Sequence, residues 1–388
     1  MRVMASTDCC EMSQRPRAEA PSALGLSLMA AALALPALHS ARADTAPERA
    51  VLSYKLLDYL DSQPGKERVH VRAPAFNVLA PVGGDWSVGA TLISDAISGA
   101  SPAHHTSALK NFSDRRNAGT LDVTRYFGLG SVALGANVSN EADYVSRGLS
   151  LQGSRSSEDK NSTWTAGIAV NNDSINPINL AVVGERKRVL DVLVGLTQVL
   201  SKQDIVQINL GHSRGRGYFS DPYKVFDKRP RERDHNTLSL RWNHHVEASE
   251  TTLRMSYRLY DDSFGIQAHT LGFEVAQPLR GGWTITPLLR LYSQNAARFY
   301  VDAGPANSPF APNPPAGAVY FSEDQRVSAF GGRTWGLKIA KQLGPNWLVD
   351  FKYEKYGQRA SWRLFGGGSP GLARFDARTV QLGASYAF

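Results

Sequence analysis

The chain has 388 residues, with 43 Lys and Arg against 35 Asp and Glu for a net charge of +8, and 42% of its residues are hydrophobic. That length suits two or three ordinary globular domains or one large all-β architecture, and 34 Gly with 20 Pro fit neither a collagen-like nor a disordered chain. Only one stretch resembles a membrane helix, which excludes a polytopic helical membrane protein, and two adjacent cysteines without any Cys-x-x-Cys exclude disulfide scaffolds, structural zinc and covalent c-type haem.

The first element is residues 23–38, an apolar run preceded by Arg15 and Arg17 and followed by Ala41-Arg42-Ala43. A basic segment, a short apolar core and a small-x-small site together read as a secretory signal, with cleavage expected after Ala43. Residues 1–43 are then the leader and residues 44–388 the mature chain. The segment before the apolar run carries Asp8, Glu11 and Glu19, and translation from Met1 or from Met12 both fit. Cys9 and Cys10 precede the apolar run, so they form no lipoprotein box and leave with the leader. Four basic and three acidic residues leave as well, which brings the charge to +7.

Beyond residue 51 the dominant period is two. Leu253, Met255, Tyr257 and Leu259 alternate with Thr252, Arg254, Ser256, Arg258 and Tyr260. Trp283, Ile285, Pro287, Leu289 and Leu291 alternate with mostly polar neighbours; so do Trp347, Val349, Phe351 and Tyr353, and then Val380, Leu382, Ala384, Tyr386 and Phe388. Such alternation means a sheet with one apolar and one polar face. Most segments run about ten residues or more, against about five or six in soluble sheets and roughly 9–11 for strands tilted across a bilayer. The expected fold is an all-β antiparallel transmembrane β-barrel of about sixteen strands.

The connections agree. Even-numbered ones look short (81–85, 128–130, 154–161, 201–204, 247–250, 279–282 and 343–346), whereas several odd-numbered ones look long (98–118, 171–187, 213–235, 295–325 and 356–374). Short turns on one side and long loops on the other describe an outer-membrane barrel. The odd connections after strands one, five and eleven are short and depart from this rule. Trp86, Trp164, Trp283 and Trp347 stand near the starts of strands leaving the short-turn side, where indoles would form an interfacial girdle. The alternative is four core tryptophans of a soluble sandwich. At the C-terminus, Gln381, Gly383, Tyr386 and Phe388 have the spacing of an assembly signal for capture by barrel-assembly machinery.

Asp95-Ala-Ile-Ser-Gly-Ala-Ser-Pro-Ala-His-His105, Asp114-Arg-Arg and Thr124-Arg-Tyr-Phe127 resemble the domain-of-unknown-function 3570 family of Gram-negative bacteria. Ser150-Leu-Gln-Gly153, Asn161-Ser-Thr-Trp164 and Asp173-Ser-Ile-Asn-Pro177 extend the resemblance, which is densest between residues 95 and 177. It implies an outer-membrane or periplasm-facing barrel and carries over no catalytic residue.

The inward phase holds the candidate functional residues. Lys55, Arg241, Arg254, Arg258, Arg290, Lys338 and Lys352 stand against Asp191, Glu274, Asp350 and Glu354, a modest positive excess in a water-filled lumen. The competing reading pairs these groups across neighbouring strands as wall structure. Strands two and four break phase at Pro74 and at Arg125-Tyr126-Phe127 and are left unassigned. The stretch 213–235 carries Arg214, Arg216, Lys224, Lys228, Arg229, Arg231 and Arg233 beside four carboxylates, either a site for lipopolysaccharide phosphates, an anionic solute or a surface partner, or simply a solvated loop.

Enzymatic and metal sites find little support. His104-His105 and His244-His245 cannot chelate as strand neighbours, because adjacent side chains diverge. Gly211-His-Ser-Arg-Gly215 fails as a nucleophile site for the same reason and lacks the elbow motif. No cofactor, metal site, enzyme activity or nucleic-acid partner is expected. The expected partners are outer-membrane lipid with lipopolysaccharide and the assembly machinery. Two functions remain: a pore for small solutes, anions among them, or a scaffold whose lumen its own loops plug. The loop 295–325, with its Pro-rich 306–315 run, is the expected arbiter between them.

Overall fold

The structure is a computed structural model that describes residues 45–102, 109–224, 226–302 and 317–388. The expected leader, His104, His105 and the Pro-rich 306–315 run lie outside the described residues. The strands are β1 (Val51–Gln63), β2 (Lys66–Val82), β3 (Trp86–Pro102), β4 (Leu109–Phe127), β5 (Gly130–Asn140) and β6 (Tyr144–Ser156). There follow β7 (Ser162–Ile175), β8 (Glu185–Val199), β9 (Asp204–Gly217), β10 (Asp227–Lys228), β11 (Glu232–Val246) and β12 (Thr251–Asp262). The last are β13 (Gln267–Leu279), β14 (Trp283–Gln294), β15 (Phe321–Ser322), β16 (Phe330–Leu343), β17 (Trp347–Arg359) and β18 (Phe375–Ala387).

Sixteen of these pair in antiparallel neighbours and close into a barrel, while β10 and β15 form a separate two-stranded ribbon. Closure runs along β1 and β18, from Val51 opposite Ala387 to Ser62 opposite Asp376. The sixteen range from 11 residues in β5 to 19 in β4, lengths that suit tilted membrane-spanning strands.

Alternation sorts the wall into two faces. Outward side chains include Leu134, Leu149, Val192, Leu210, Trp335 and Leu382, all left exposed. In β1 the exposed Leu52 and Tyr54 alternate with the buried Ser53, Lys55, Leu57 and Asp61. A closed sheet leaves no unpaired edge, so every strand can carry an apolar outer face without templating aggregation.

The two ends of the barrel differ as expected. At one end the connections are the turns 83–85, 128–129, 157–161, 200–203, 247–250, 280–282 and 344–346. At the other lie the loops 176–184, 218–231, 295–329 and 360–374, together with the short links 64–65, 141–143 and 263–266.

Three local features depart from the sequence reading. The expected loop 98–118 is mostly strand, because β3 and β4 stay in register out to Pro102 opposite Leu109. Small polar residues there read as loop, but the ladder is backbone hydrogen bonding and tolerates them. The expected loop 213–235 likewise shrinks to 218–231, with β9 and β11 extending into it. Pro74 stays inside β2: pairing to β3 lapses between Arg72 and Ala75, yet the register is the same on both sides.

Candidate functional site

The lumen wall is built by the inward half of each strand. Its pairings place Arg241 beside Ser256, Arg258 beside Ser239 and Thr270, Arg254 beside Glu274, and Arg290 beside Gly272 and Thr334. These four arginines point inward and are nevertheless solvent-exposed, so the lumen beside β11–β14 is open to solvent. Arg254 reaches Glu274 at 3.4 Å, with both side chains nearly half exposed. Arg241, Arg258 and Arg290 form no ion pair among the described residues.

The other inward charges form a compensated cluster. Lys338 opposes Lys352 across β16 and β17, and a direct like-charge pair is unfavourable unless countercharge is close. That countercharge is Asp350, 3.9 Å from Lys338, and Glu354, 3.1 Å from Lys352. Lys55 lies opposite Gly383, and a Cβ there would sit 2.5 Å from the Asp350 carboxylate. Glycine is what lets Asp350 into this position. Asp191 faces the lumen from β8, between Ala169 and Ser213.

Residues outside the set of inward candidates line the loop-end mouth. Four ion pairs with buried carboxylates face inward there: Asp61–Arg68 at 3.7 Å, Asp95–Arg116 at 2.5 Å, Asp173–Lys187 at 3.0 Å and Asp262–Arg233 at 2.6 Å. A bulge at Leu60/Ser62 shifts the β1–β2 register by one residue and turns Arg68 inward to Asp61. The sequence signal for Asp95 and Arg116 was the alternation itself, which had to be carried past the small residues mistaken for loop. The inner wall also has an apolar patch at Leu57, Val71, Ala73 and Ala75, packed by Tyr59, Val69 and Ile93.

Over this mouth the long loops lock together. Phe264, Ile266, Ala297 and Val327 form a buried cluster with Phe219, Tyr260, Phe299 and Tyr300 around it. Phe219 turns inward onto Gly215, where a Cβ would meet its ring at 2.7 Å. Gln294, on the inner face of β14, donates to the carbonyls of Arg326 and Ser328 at 3.1 and 2.6 Å. The 325–328 turn therefore sits inside the rim.

An ion network ties loop 218–231 to loop 295–329. Arg229 bonds both Asp227 and Asp324 at 2.7 Å, and Arg326 reaches Asp221 at 2.7 Å and also bonds Asp324. Burial opposes ionisation of Asp324, but Arg326, Lys224 and Arg229 outweigh it and hold the carboxyl well below the usual range. Neighbouring Glu323 goes the other way: burial pushes it up to about 8, with Lys224 opposing and Asp227 and Asp324 adding to the rise.

The basic stretch 213–235 is thus divided. Arg214 and Arg216 lie on the outer face of β9, Arg229 is in the buried network, Arg231 pairs with Glu185 at 2.6 Å, and Arg233 faces inward. His212 is outward against Asn236 at 2.8 Å and its neighbour Ser213 is buried inward, so the two cannot act together. His244 bonds Asp204 at 2.8 Å on the outer face, and His245 turns inward toward Thr252. Among the described residues no three His, Cys, Asp or Glu converge as a metal site.

Trp86, Trp164, Trp283 and Trp347 point outward near the turn end, 42–58% exposed. The Arg125 guanidinium lies over Trp86 and Phe127 at 5.4 and 5.0 Å, which explains the phase break as outward Arg125 and Phe127 around inward Tyr126. At the C-terminus Gln381 and Gly383 face inward, while Tyr386 packs on Trp347 at 4.8 Å and stacks on Phe388 at 5.7 Å.

A solved structure described as a bacterial polysaccharide outer membrane secretin is similar to this chain with a TM-score of 0.52 at 8% identity, covering 87% of this chain and 98% of that one. The siderophore receptor PirA from Pseudomonas aeruginosa gives 0.46 at 9% identity, covering 88% and 81%, and OccK11 from the same organism gives 0.44 at 11%, covering 88% and 96%. At such identities the likeness is one of fold. No curated protein matches the sequence. The model of the family described as "Protein of unknown function (DUF3570)" matches residues 103–183 and 179–379, well over half of the chain, and the chain belongs to that family.

Proposed function

We propose that this barrel lies in the outer membrane of a Gram-negative cell, loop end outward, and passes small anionic solutes. The observation that carries the reading is the set of exposed, inward Arg241, Arg258 and Arg290, which lack carboxylate partners among the described residues. A low-dielectric wall focuses the field of such groups into the lumen and raises the local anion concentration. The barrel-assembly machinery is the expected partner in biogenesis, reading Gln381, Gly383, Tyr386 and Phe388 on the strand that closes the wall. The outward girdle of Trp86, Trp164, Trp283 and Trp347 supports the membrane setting.

A specific observation favours a second reading. The described parts of the two loops, 218–224 with 226–231 and 295–302 with 317–329, pack at the rim through a buried core and ion network, as a plug would. A scaffold with a closed lumen would present those loops to a partner instead of passing solute.

Planar-bilayer recording of the refolded protein tests both. Stable open steps with anion preference are expected, and Arg258→Glu with Arg290→Glu should turn that preference toward cations. Selectivity unchanged by the double reversal would assign the arginines to wall structure. No conductance from a barrel that shows heat-modifiable gel migration would favour the plugged scaffold.

A further inference from the structure

Loop 360–374 folds back along the outside of the wall. Gly331 faces outward on β16, and a Cβ there would collide with the Trp362 carbonyl oxygen at 2.0 Å. The Trp362 ring also covers outward Gly357, 3.1 Å from where its Cβ would be. The indole lies between the guanidinium groups of Arg333 and Arg359, at 4.4 and 4.9 Å. Arg359 is itself held by Asp376 through bonds of 2.7 and 3.0 Å.

Farther along, the Leu364 amide donates to the outward Ser293 hydroxyl at 3.0 Å, and Phe365 packs edge-on against outward His269 at 5.1 Å. Gly366, with φ of +113°, then starts the turn that brings the chain back over the rim. There the Ser369 amide donates to the Ala329 carbonyl at 2.8 Å. The segment is therefore tied at the wall and at the mouth, yet its apolar tips stay open: Leu364 is 52% and Phe365 72% exposed.

We propose that residues 362–365 are a strap that seats in the lipid leaflet on the loop side, an anchor one bilayer thickness from the tryptophan girdle. The inference rests on the membrane reading above. Its height argues for lipid. Ser293, which holds Leu364, lies ten residues along β14 from Trp283. At ~3.3 Å per residue and a tilt of ~40° that is about 25 Å, the height of the apolar band of such barrels. Arg333 and Arg359 beside Trp362 suit the phosphate level, where cationic heads reach out of an apolar boundary. Two apolar tips are too small a patch for a stable dimer, which buries about 800 Å² on each partner.

The test places one nitroxide label at a time in the full chain carrying Cys9→Ser and Cys10→Ser, which leaves no other thiol. Labels go at Phe365→Cys on the strap, Leu289→Cys on the outer face of β14 and Val183→Cys at a loop tip. Each variant is reconstituted in phosphatidylethanolamine–phosphatidylglycerol vesicles, and its collision rates with oxygen and with a water-soluble nickel chelate are measured. The oxygen-to-nickel ratio at Phe365 should exceed that at Val183 several-fold and fall below that at Leu289.

An aqueous ratio at Phe365 with a lipid ratio at Leu289 overturns the strap and leaves the barrel embedded. An aqueous ratio at Leu289 overturns the membrane reading itself. Spin–spin broadening at Phe365 shows a second copy covering the strap and overturns the proposal too. Leu364→Cys is the replacement label if Phe365→Cys does not fold.

Discussion

Arg229 and Arg258 carry the same guanidinium inside the same barrel, and their surroundings make opposite use of it. Arg229 is almost wholly buried between Asp227 and Asp324, and it joins two loops that are far apart in sequence. Arg258 stands on a regular strand, exposed to the lumen, with the Tyr260 ring at 5.9 Å and no carboxylate partner among the described residues. The first charge is satisfied and therefore structural. The second is left to solvent. What a lumen charge does is decided by what stands opposite: charges pair at the mouth and on β16 and β17, while Arg241, Arg258 and Arg290 beside β11–β14 have no ion-pair partner among the described residues.

The sharpest way to break this contrast is to remove each arginine. Arg229→Ala leaves Asp227 and Asp324 buried without their shared cation, and losing one partner of a buried pair costs about 3–5 kcal/mol. Hydrogen exchange at the loop segments 218–224 and 317–329 should then speed by at least a hundredfold while the barrel strands stay protected. Arg258→Ala should move stability by no more than about 0.5 kcal/mol, as exposed substitutions usually do. Equal losses from the two variants would erase the distinction.

Acidity offers a graded version of the same test. Glu323 binds its proton more tightly in the folded mouth than in an opened loop, because its carboxyl is raised to about 8. Its contribution is fully present below the ordinary Glu range and is lost as pH rises through about 8. Asp324, held low, contributes above the ordinary Asp range and loses that only in acid. The loop lock should therefore loosen from pH 5 to pH 8, with the protection factor of residues 317–329 (the intrinsic base-catalysed rate at each pH divided by the observed rate) falling by roughly tenfold. Glu323→Gln should flatten that dependence, and an unchanged slope would place its origin in another group.

The smallest effect is expected at the compensated cluster. Lys338→Gln and Lys352→Gln each leave a carboxylate with less countercharge but hardly alter the field beside β11–β14. The reversal potential should shift by less than a third of the change produced by Arg258→Glu with Arg290→Glu. A larger shift would mean that the permeating path runs past β16 and β17.

Much of this was legible in the chain. Strict alternation in 253–259, 283–291, 347–353 and 380–388 reports which side of a sheet each residue takes, because the strand period is two whatever the neighbours are. The eleven inward candidates, from Lys55 to Glu354, fall on one face of their strands by that period. The pairs Asp61–Arg68 and Asp95–Arg116 escaped the reading. A bulge shifts the phase of the first, and small residues hide the strand that carries the second.

Composition, strand length and alternation by themselves determined a closed antiparallel barrel with an apolar outer belt and short turns at one end. These are local properties, repeated along the chain and insensitive to which strands meet. Only the tertiary structure decided which charges are neutralised, that Arg229 joins Asp227 to Asp324, and that Trp362 lies outside the wall while Val327 lies inside the rim. Those ion pairs join residues as much as 105 positions apart, and no period in a sequence encodes which distant loop will supply the countercharge.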